Sequence, residues 1–278
     1  MHVSVDGAEL FYSSRGTGPV CLVPSAMGTK LYERQMPRQM SEGRQFVFVD
    51  LRGGGHSTGD PTVLTFDQVA ADFEAVRVDR GVDKVAIIGH SILGVLAIEY
   101  GRRCPATVSH VITVGTPPRG DMAWLLGAAT QFFEQDASQE RKDVLRDNLA
   151  QLPPGTPFEQ SFPAQAPLRF YDARTDMMPL YQDTVVKPEL LGHLLGPLTK
   201  DWDVTRDPSS LRVPILLTHG RYDYTVPYTL WDRIEAVLPV ATRRVFSRSG
   251  HQPFFEEPDA FAIVVAEWMK KQDDARAV

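Results

Sequence analysis

The chain has 278 residues, 43% of them hydrophobic and 23% charged, with a formal net charge of −6. This balance predicts a packed globular core and excludes disorder. The acidic sign argues against nucleic acid, whose phosphates demand a basic face, and fits a neutral or mildly polar small-molecule substrate.

Two cysteines occur. Cys21 lies in an apolar strand-like run and Cys104 near a helix end, and both read as small buried hydrophobes rather than as a disulfide or a metal site. The opening Met-His-Val-Ser-Val-Asp-Gly lacks the basic and apolar regions of a signal peptide. No apolar run approaches the roughly 20 residues of a membrane span. A cytoplasmic setting with no membrane partner is the expectation.

In chain order, β-rich runs fall at Glu9–Tyr12, Val20–Val23, Phe46–Val49, Val85–Ile88 and Val108–Val114, alternating with helix-like stretches at Leu31–Met40, Phe66–Arg80 and Leu93–Arg103. Within Phe66–Arg80, Phe66, Val69, Ala70, Phe73 and Val76 recur at three- and four-residue spacing, as an amphipathic helix requires. Asp67 suits its first turn and Gly81 its stop. Val85-Ala86-Ile87-Ile88 is apolar without alternation, the mark of a strand covered on both faces of a parallel sheet. From about Asp121 to Asp207 the chain reads as helices and loops rich in proline and aromatics, with no clear strand. Strands resume at Pro214–Thr218 and Thr242–Phe246, with helices at Leu230–Leu238 and Pro258–Lys271. The economical division is a sheet domain made of 1–120 and 208–278, interrupted by a helical insertion, 121–207.

The richest stretch is Val85-Ala86-Ile87-Ile88-Gly89-His90-Ser91-Ile92-Leu93-Gly94. It runs from a buried strand through a serine straight into a helix. Such a turn exposes the hydroxyl above the sheet, and Gly89 lets strand and helix approach closely. It also leaves the Ile92 N–H at a helix N-terminus, where developing negative charge is stabilised. A serine that merely caps a helix would look similar on this segment alone.

Its partners decide between the two. A serine hydroxyl attacks only when a base takes its proton, and that base needs an orienting carboxylate. Asp223 lies on the loop after the strand ending at Thr218, and His251 on the loop after the strand ending at Phe246. Both are at carboxyl ends of strands, where α/β sheets build their sites. The order Ser91, Asp223, His251 is the one this nucleophile turn takes. His56, His90 and His219 read as packing or hydrogen-bonding residues, too scattered for a metal-ligand set.

These segments resemble the α/β-hydrolase superfamily over nearly the whole chain. Asp50-Leu51-Arg52-Gly53-Gly54-Gly55-His56-Ser57 is similar to the family's D-x-R-G-x-G-x-S loop, Gly220–Pro227 to its G-x-x-D-x-x-x-P acid loop, and Gly250-His251 to its G-H loop. The nearest likeness is to the capped, proline-iminopeptidase-like group. The resemblance implies an α/β-hydrolase fold: a mostly parallel central sheet flanked by helices, with a helical cap inserted after the sixth strand. It also implies a second oxyanion donor, the Ala26 N–H, beside that of Ile92, and no metal or organic cofactor.

Two departures stand out. Leu93 occupies the place of the second glycine of G-x-S-x-G, with Gly94 one residue later, so a slightly opened turn or a shifted helix is expected, with the nucleophile retained. Val23-Pro24-Ser25-Ala26-Met27-Gly28 replaces the H-G-G-P-G of iminopeptidases, which weakens the aminopeptidase reading. Among the insertion's aromatic and sulfur side chains most should form its own core, while Trp124, Phe133, Met178 and Tyr181, with Met27 and Val226, are the candidates for an apolar substrate pocket. The expected activity is hydrolysis of a carboxylic ester or lactone of a small hydrophobic substrate. The alternatives are an aminopeptidase, which needs a cap carboxylate such as Glu134, Glu140, Glu159 or Glu189, a carbon–carbon bond hydrolase, and a ligand receptor with slow turnover.

Overall fold

The computed structural model describes residues 1–156, 160–232 and 234–276; Phe158 and Glu159 lie outside them. Eight strands form one sheet: β1 (His2–Val5), β2 (Ala8–Arg15), β3 (Val20–Ser25), β4 (Gln45–Asp50), β5 (Val85–His90), β6 (Val108–Val114), β7 (Ile215–Gly220) and β8 (Ala241–Phe246). Their spatial order is β1-β2-β4-β3-β5-β6-β7-β8. The β1–β2 and β2–β4 pairs are antiparallel and the rest parallel. Every residue of β3, β5 and β7 is buried, as their unalternating apolar runs require. Cys21 sits within β3, fully buried, and both cysteines are free thiols. The short, half-exposed β1, which pairs with β2 as an edge hairpin, has too few apolar residues to be found from sequence.

The chain passes outward from β3 to β4, then returns past β3 to β5. This reversal puts the carboxyl ends of β3 and β5 side by side, at the position where open α/β sheets leave a crevice.

Helices α1 (Lys30–Gln35), α2 (Phe66–Asp79) and α3 (Leu93–Arg103) belong to the first half. The α2 helix starts as expected, with the Thr65 hydroxyl accepting from Gln68 N–H at 3.1 Å, and stops before Gly81, at φ +66°. The stretch expected to be helical over Leu31–Met40 is broken. Met36 adopts an extended conformation, because Pro37 bars the residue before it from the helical region, and a 3₁₀ turn, Arg38–Glu42, follows. Among the described residues the helix expected at Leu230–Leu238 is also absent. Two 3₁₀ turns, Tyr228–Trp231 and Glu235–Val237, stand there, anchored by the isolated buried side chains of Trp231 and Leu238 rather than by a continuous stripe.

Between β6 and β7 come α4 (Met122–Asp136), α5 (Gln139–Ala150), α6 (Ala166–Arg169), α7 (Met178–Tyr181) and α8 (Pro188–Leu194), with no strand among the described residues. Its two stems pair: Gly120 N–H donates to Trp202 O at 2.9 Å and Val204 N–H to Pro118 O at 3.1 Å. Two final helices, α9 (Pro253–Glu256) and α10 (Pro258–Arg276), follow β8. Among the described residues no helix is long and apolar enough to cross a membrane.

Candidate active site

Ser91 directly follows β5, two residues before α3 begins. Its φ is +56°, a left-handed conformation that a side chain adopts only under constraint. The constraint is visible: Ser91 N–H donates to Val114 O at 2.8 Å, and its carbonyl accepts from the Thr116 hydroxyl and from Gly94 N–H, each at 3.0 Å. Leu93 does not open this turn. The close approach falls at Gly94, where a methyl group would overlap the Thr116 hydroxyl and lie 2.8 Å from Thr116 Cβ, while one on Gly89 would meet Gly94 Cα at 2.6 Å. The glycine requirement has therefore moved one residue along the helix, and Leu93 is free to line the cavity beside Ser91.

The loops after β7 and β8 bring Asp223 and His251 together. Asp223 Oδ2 lies 2.7 Å from His251 Nδ1, with both side chains buried. Asp223 Oδ1 accepts from Thr225 N–H, Val226 N–H and the Thr225 hydroxyl at 2.7–2.9 Å. Burial pushes the Asp223 pKa up, but the His251 ring and these donors outweigh it and hold the carboxyl below its usual range. An ionised Asp223 accepts only, so Nδ1 of His251 carries the proton and Nε2 presents its lone pair.

The His251 loop is fastened from several sides. His251 N–H donates to Arg169 O at 2.6 Å, and its carbonyl accepts from His90 Nε2 at 3.0 Å. The other nitrogen of His90 faces the Tyr32 hydroxyl at 3.1 Å. Burial and the neighbouring His251 drive the His90 pKa well below its usual value, so His90 is a neutral donor here rather than a second base. Glu256 accepts from Gly250 N–H at 2.7 Å and from Tyr171 N–H at 2.6 Å, and burial raises its pKa to about 7 against those donors. It ties Gly250, the residue before His251, to the helical insertion.

The acid loop is tied to the insertion as well. Arg221 pairs with Asp136 at 2.6 and 3.0 Å, the Tyr224 hydroxyl reaches the same carboxylate at 2.9 Å, and Tyr224 N–H donates to Leu168 O at 3.0 Å. Arg141, buried, donates to the carbonyls of Pro167, Phe170 and Tyr171 and lies over the rings of Tyr222 and Tyr224. None of these supports was anticipated, because each joins residues far apart in sequence.

Ser91, His251, Ala26 and Ile92 all border one cavity of about 510 Å³. Asp223 lies behind it, fully buried. The N–H groups of Ala26 and Ile92 donate to no other described residue. Of the expected pocket residues, Met27, Phe133, Tyr181 and Val226 line the cavity. Trp124 and Met178 do not. Trp124 packs under the Arg119 guanidinium, 5.3 Å from its ring centre, and Met178 is 60% exposed beside a separate depression that Met27 and Tyr181 also border. The α4 face that does reach the cavity is Met122, Leu125, Leu126, Ala129 and Phe133, an apolar stripe at helical spacing. Among the candidate glutamates, Glu134 borders the cavity, but its carboxylate is largely exposed and paired with Lys142 at 3.2 Å. Glu140 pairs with Arg174 at 2.6 Å, and Glu159 lies outside the described residues.

Gly115, unnoticed in the sequence, sits against the acid–base pair at φ +54°. Its only sequence signal was its place, directly after β6.

Comparison with known proteins agrees with this fold. The family described as alpha/beta hydrolase fold matches residues 18–258. The AB hydrolase superfamily protein YclE of Bacillus subtilis is 30% identical over 274 residues, covering 95% of this chain and 96% of that protein. A proline iminopeptidase of Heyndrickxia coagulans is 24% identical over 282 residues, 94% of this chain and 93% of its own. Among solved structures, an esterase from Exiguobacterium antarcticum superposes with a TM-score of 0.69 at 18% identity, over 97% of this chain and 98% of that one, a likeness of fold. The chain belongs to the α/β-hydrolase family.

Proposed function

We propose that this hydrolase cleaves a carboxylic ester or lactone of a small hydrophobic substrate through an acyl-enzyme on Ser91. The observation that carries the reading is the buried Asp223–His251 hydrogen bond, 2.7 Å long, behind a cavity that Ser91 and His251 both border. His251 Nε2 takes the Ser91 proton as the oxygen attacks the carbonyl carbon. The carbonyl π-electrons move to oxygen, and the N–H groups of Ala26 and Ile92 receive that charge; one such donor contributes about 3 kcal/mol. Collapse expels the alkoxide, which takes the proton from His251. Water, deprotonated by His251 in turn, attacks the acyl-enzyme; the second tetrahedral adduct collapses, the Ser91 oxygen leaves and takes the proton back from His251, and the acid departs. Asp223 keeps the imidazole in its tautomer and offsets its charge throughout. The helical insertion, 121–207, acts as a cap whose α4 stripe keeps the site apolar and water-poor, which strengthens the oxyanion contacts. Nucleophile, base and oxyanion donors all come from the chain, so no cofactor enters this scheme.

An aminopeptidase, as the Heyndrickxia relative is named, needs a free carboxylate near the nucleophile for the substrate's ammonium group. Glu134, the candidate glutamate at the cavity, is already paired with Lys142 and mostly in solvent. The ester reading is accordingly preferred. It is tested with a fluorophosphonate probe and mass spectrometry of the labelled peptide. Label on Ser91, lost in His251→Ala, is the expected result. Folded protein that takes no label overturns it and favours a ligand receptor.

A further inference from the structure

The wall of the cavity facing the sheet contains a polar feature that the reaction does not use. The inward face of α1 consists of Leu31, Tyr32 and Gln35, all buried and all bordering the cavity. Gln35 is 3% exposed, and neither its Oε1 nor its Nε2 has a hydrogen-bond partner among the described residues. Gln252, which directly follows the base, is 2% exposed, borders the same cavity, and has no partner at its Oε1. Neighbouring polar groups are engaged: the Tyr32 hydroxyl with His90, and His90 with the His251 carbonyl.

A buried carboxamide that has lost water without gaining a partner destabilises the fold, whereas an apolar side chain of the same shape would not. Two of them on the wall of one cavity, one beside the base and the other one turn of α1 beyond Leu31, are best accounted for by a partner that arrives with the substrate. A carboxamide offers one acceptor and two donors and no charge, so its closest complement is another amide.

We propose that Gln35 and Gln252 form a subsite for an uncharged amide group of the substrate, carried within a few bonds of the scissile carbonyl. The substrate class is then an amide-bearing ester or lactone with an apolar remainder along the α4 stripe. The inference rests on the ester reading, and the test separates the two.

The probes are para-nitrophenyl hexanoate and the para-nitrophenyl ester of N-acetyl-β-alanine, which match in chain length and differ by an amide in place of two methylenes. The wild-type protein is expected to favour the amide ester in kcat/KM by about tenfold or more, since a site built to hydrogen-bond a group discriminates against the analogue lacking it. In Gln35→Met and Gln252→Met, which keep side-chain length, that ratio falls towards unity. Ligand-free Gln35→Met is also expected to melt at a higher temperature than wild type, because the unpartnered carboxamide is gone. A wild-type ratio near unity, or a ratio that both substitutions leave unchanged, overturns the subsite. Calorimetric binding of the same two esters to Ser91→Ala reads the preference without turnover. A preference for the amide ester there that Gln35→Met abolishes, with neither ester hydrolysed by wild type, supports the subsite and overturns the ester reading alone.

Discussion

Gly115 lies so close to His251 that a methyl group added to it would come within 2.7 Å of Nδ1, and within 3.0 Å of the Asp223 oxygen bonded there. Its φ of +54° adds a second reason for glycine. The residue after β6 thus sets how closely the loops after β7 and β8 can meet. Gly115→Ala is expected to push the imidazole aside and lower kcat on the order of 10²-fold, the usual consequence of a misplaced reacting group. Steady-state kinetics, with circular dichroism to verify folding, reads this; an unchanged kcat in folded protein contradicts it.

Asp223→Asn keeps the shape of the acid loop but places an amide where the carboxylate accepted from Nδ1. The imidazole then turns its proton towards Ser91, and kcat is expected to fall by about 10⁴, as in other enzymes with this arrangement. A rate near wild type would move the acid elsewhere. Asp121, a carboxylate on the loop after β6, is engaged in capping α4 through Trp124 N–H at 3.0 Å.

The displaced glycine of the nucleophile turn makes a paired prediction. Gly94→Ala forces a methyl group into Thr116 and is expected to cost about 1–3 kcal/mol, as overpacking does. Leu93→Gly restores the more usual pattern; it loses a buried side chain, about 2–5 kcal/mol, and about 1 kcal/mol of helix propensity, yet leaves the Ser91 turn intact. Urea unfolding and fluorophosphonate labelling of both variants decide the matter. If Leu93→Gly raises the labelling rate while Gly94→Ala is silent, the turn was strained by Leu93 after all.

His219, at the end of β7, is buried with neither ring nitrogen hydrogen-bonded among the described residues. Burial lowers its pKa from 6.5 to about 4, with Asp223 pulling weakly the other way. Between those two values the unfolded chain binds a proton that the folded chain does not. The stability from this group is therefore complete above about pH 6.5 and lost as the pH falls towards 4, to an extent of at most roughly 3 kcal/mol. His219→Leu lacks this slope. The stability gap between wild type and variant, measured by urea unfolding at pH 7 and pH 4.5, is expected to shift in the variant's favour at acid pH; a constant gap rules the assignment out.

Much of the architecture was legible in the residues. The unalternating runs of β3, β5 and β7 mark buried parallel strands; Ser91 follows β5 and Asp223 follows β7, while His251 follows the less buried edge strand β8, so local pattern and chain order singled the three out as candidates. Other features were misread because competing local signals were weighed wrongly. Pro37 ends α1 at Gln35, and the segment around Trp231 is held by isolated anchors where a helical stripe was expected.

The pocket shows where local pattern runs out. The apolar spacing of α4 predicts a helix with a buried stripe, but Trp124 and Leu125 differ by about 100° of rotation, and only packing decided that Leu125 faces the cavity while Trp124 lies under Arg119. The sequence by itself determined the buried parallel strands and the candidate residue types with their order, because strand burial and tight turns are written in short stretches of chain. Tertiary structure alone decided that Gly115 bears on His251, that Glu256 and Arg141 bind the helical insertion to the acid and base loops, and that Gln35 borders the cavity without a partner. Those relationships join residues distant in sequence, and their energies depend on rotations and distances that exist only once the chain has packed.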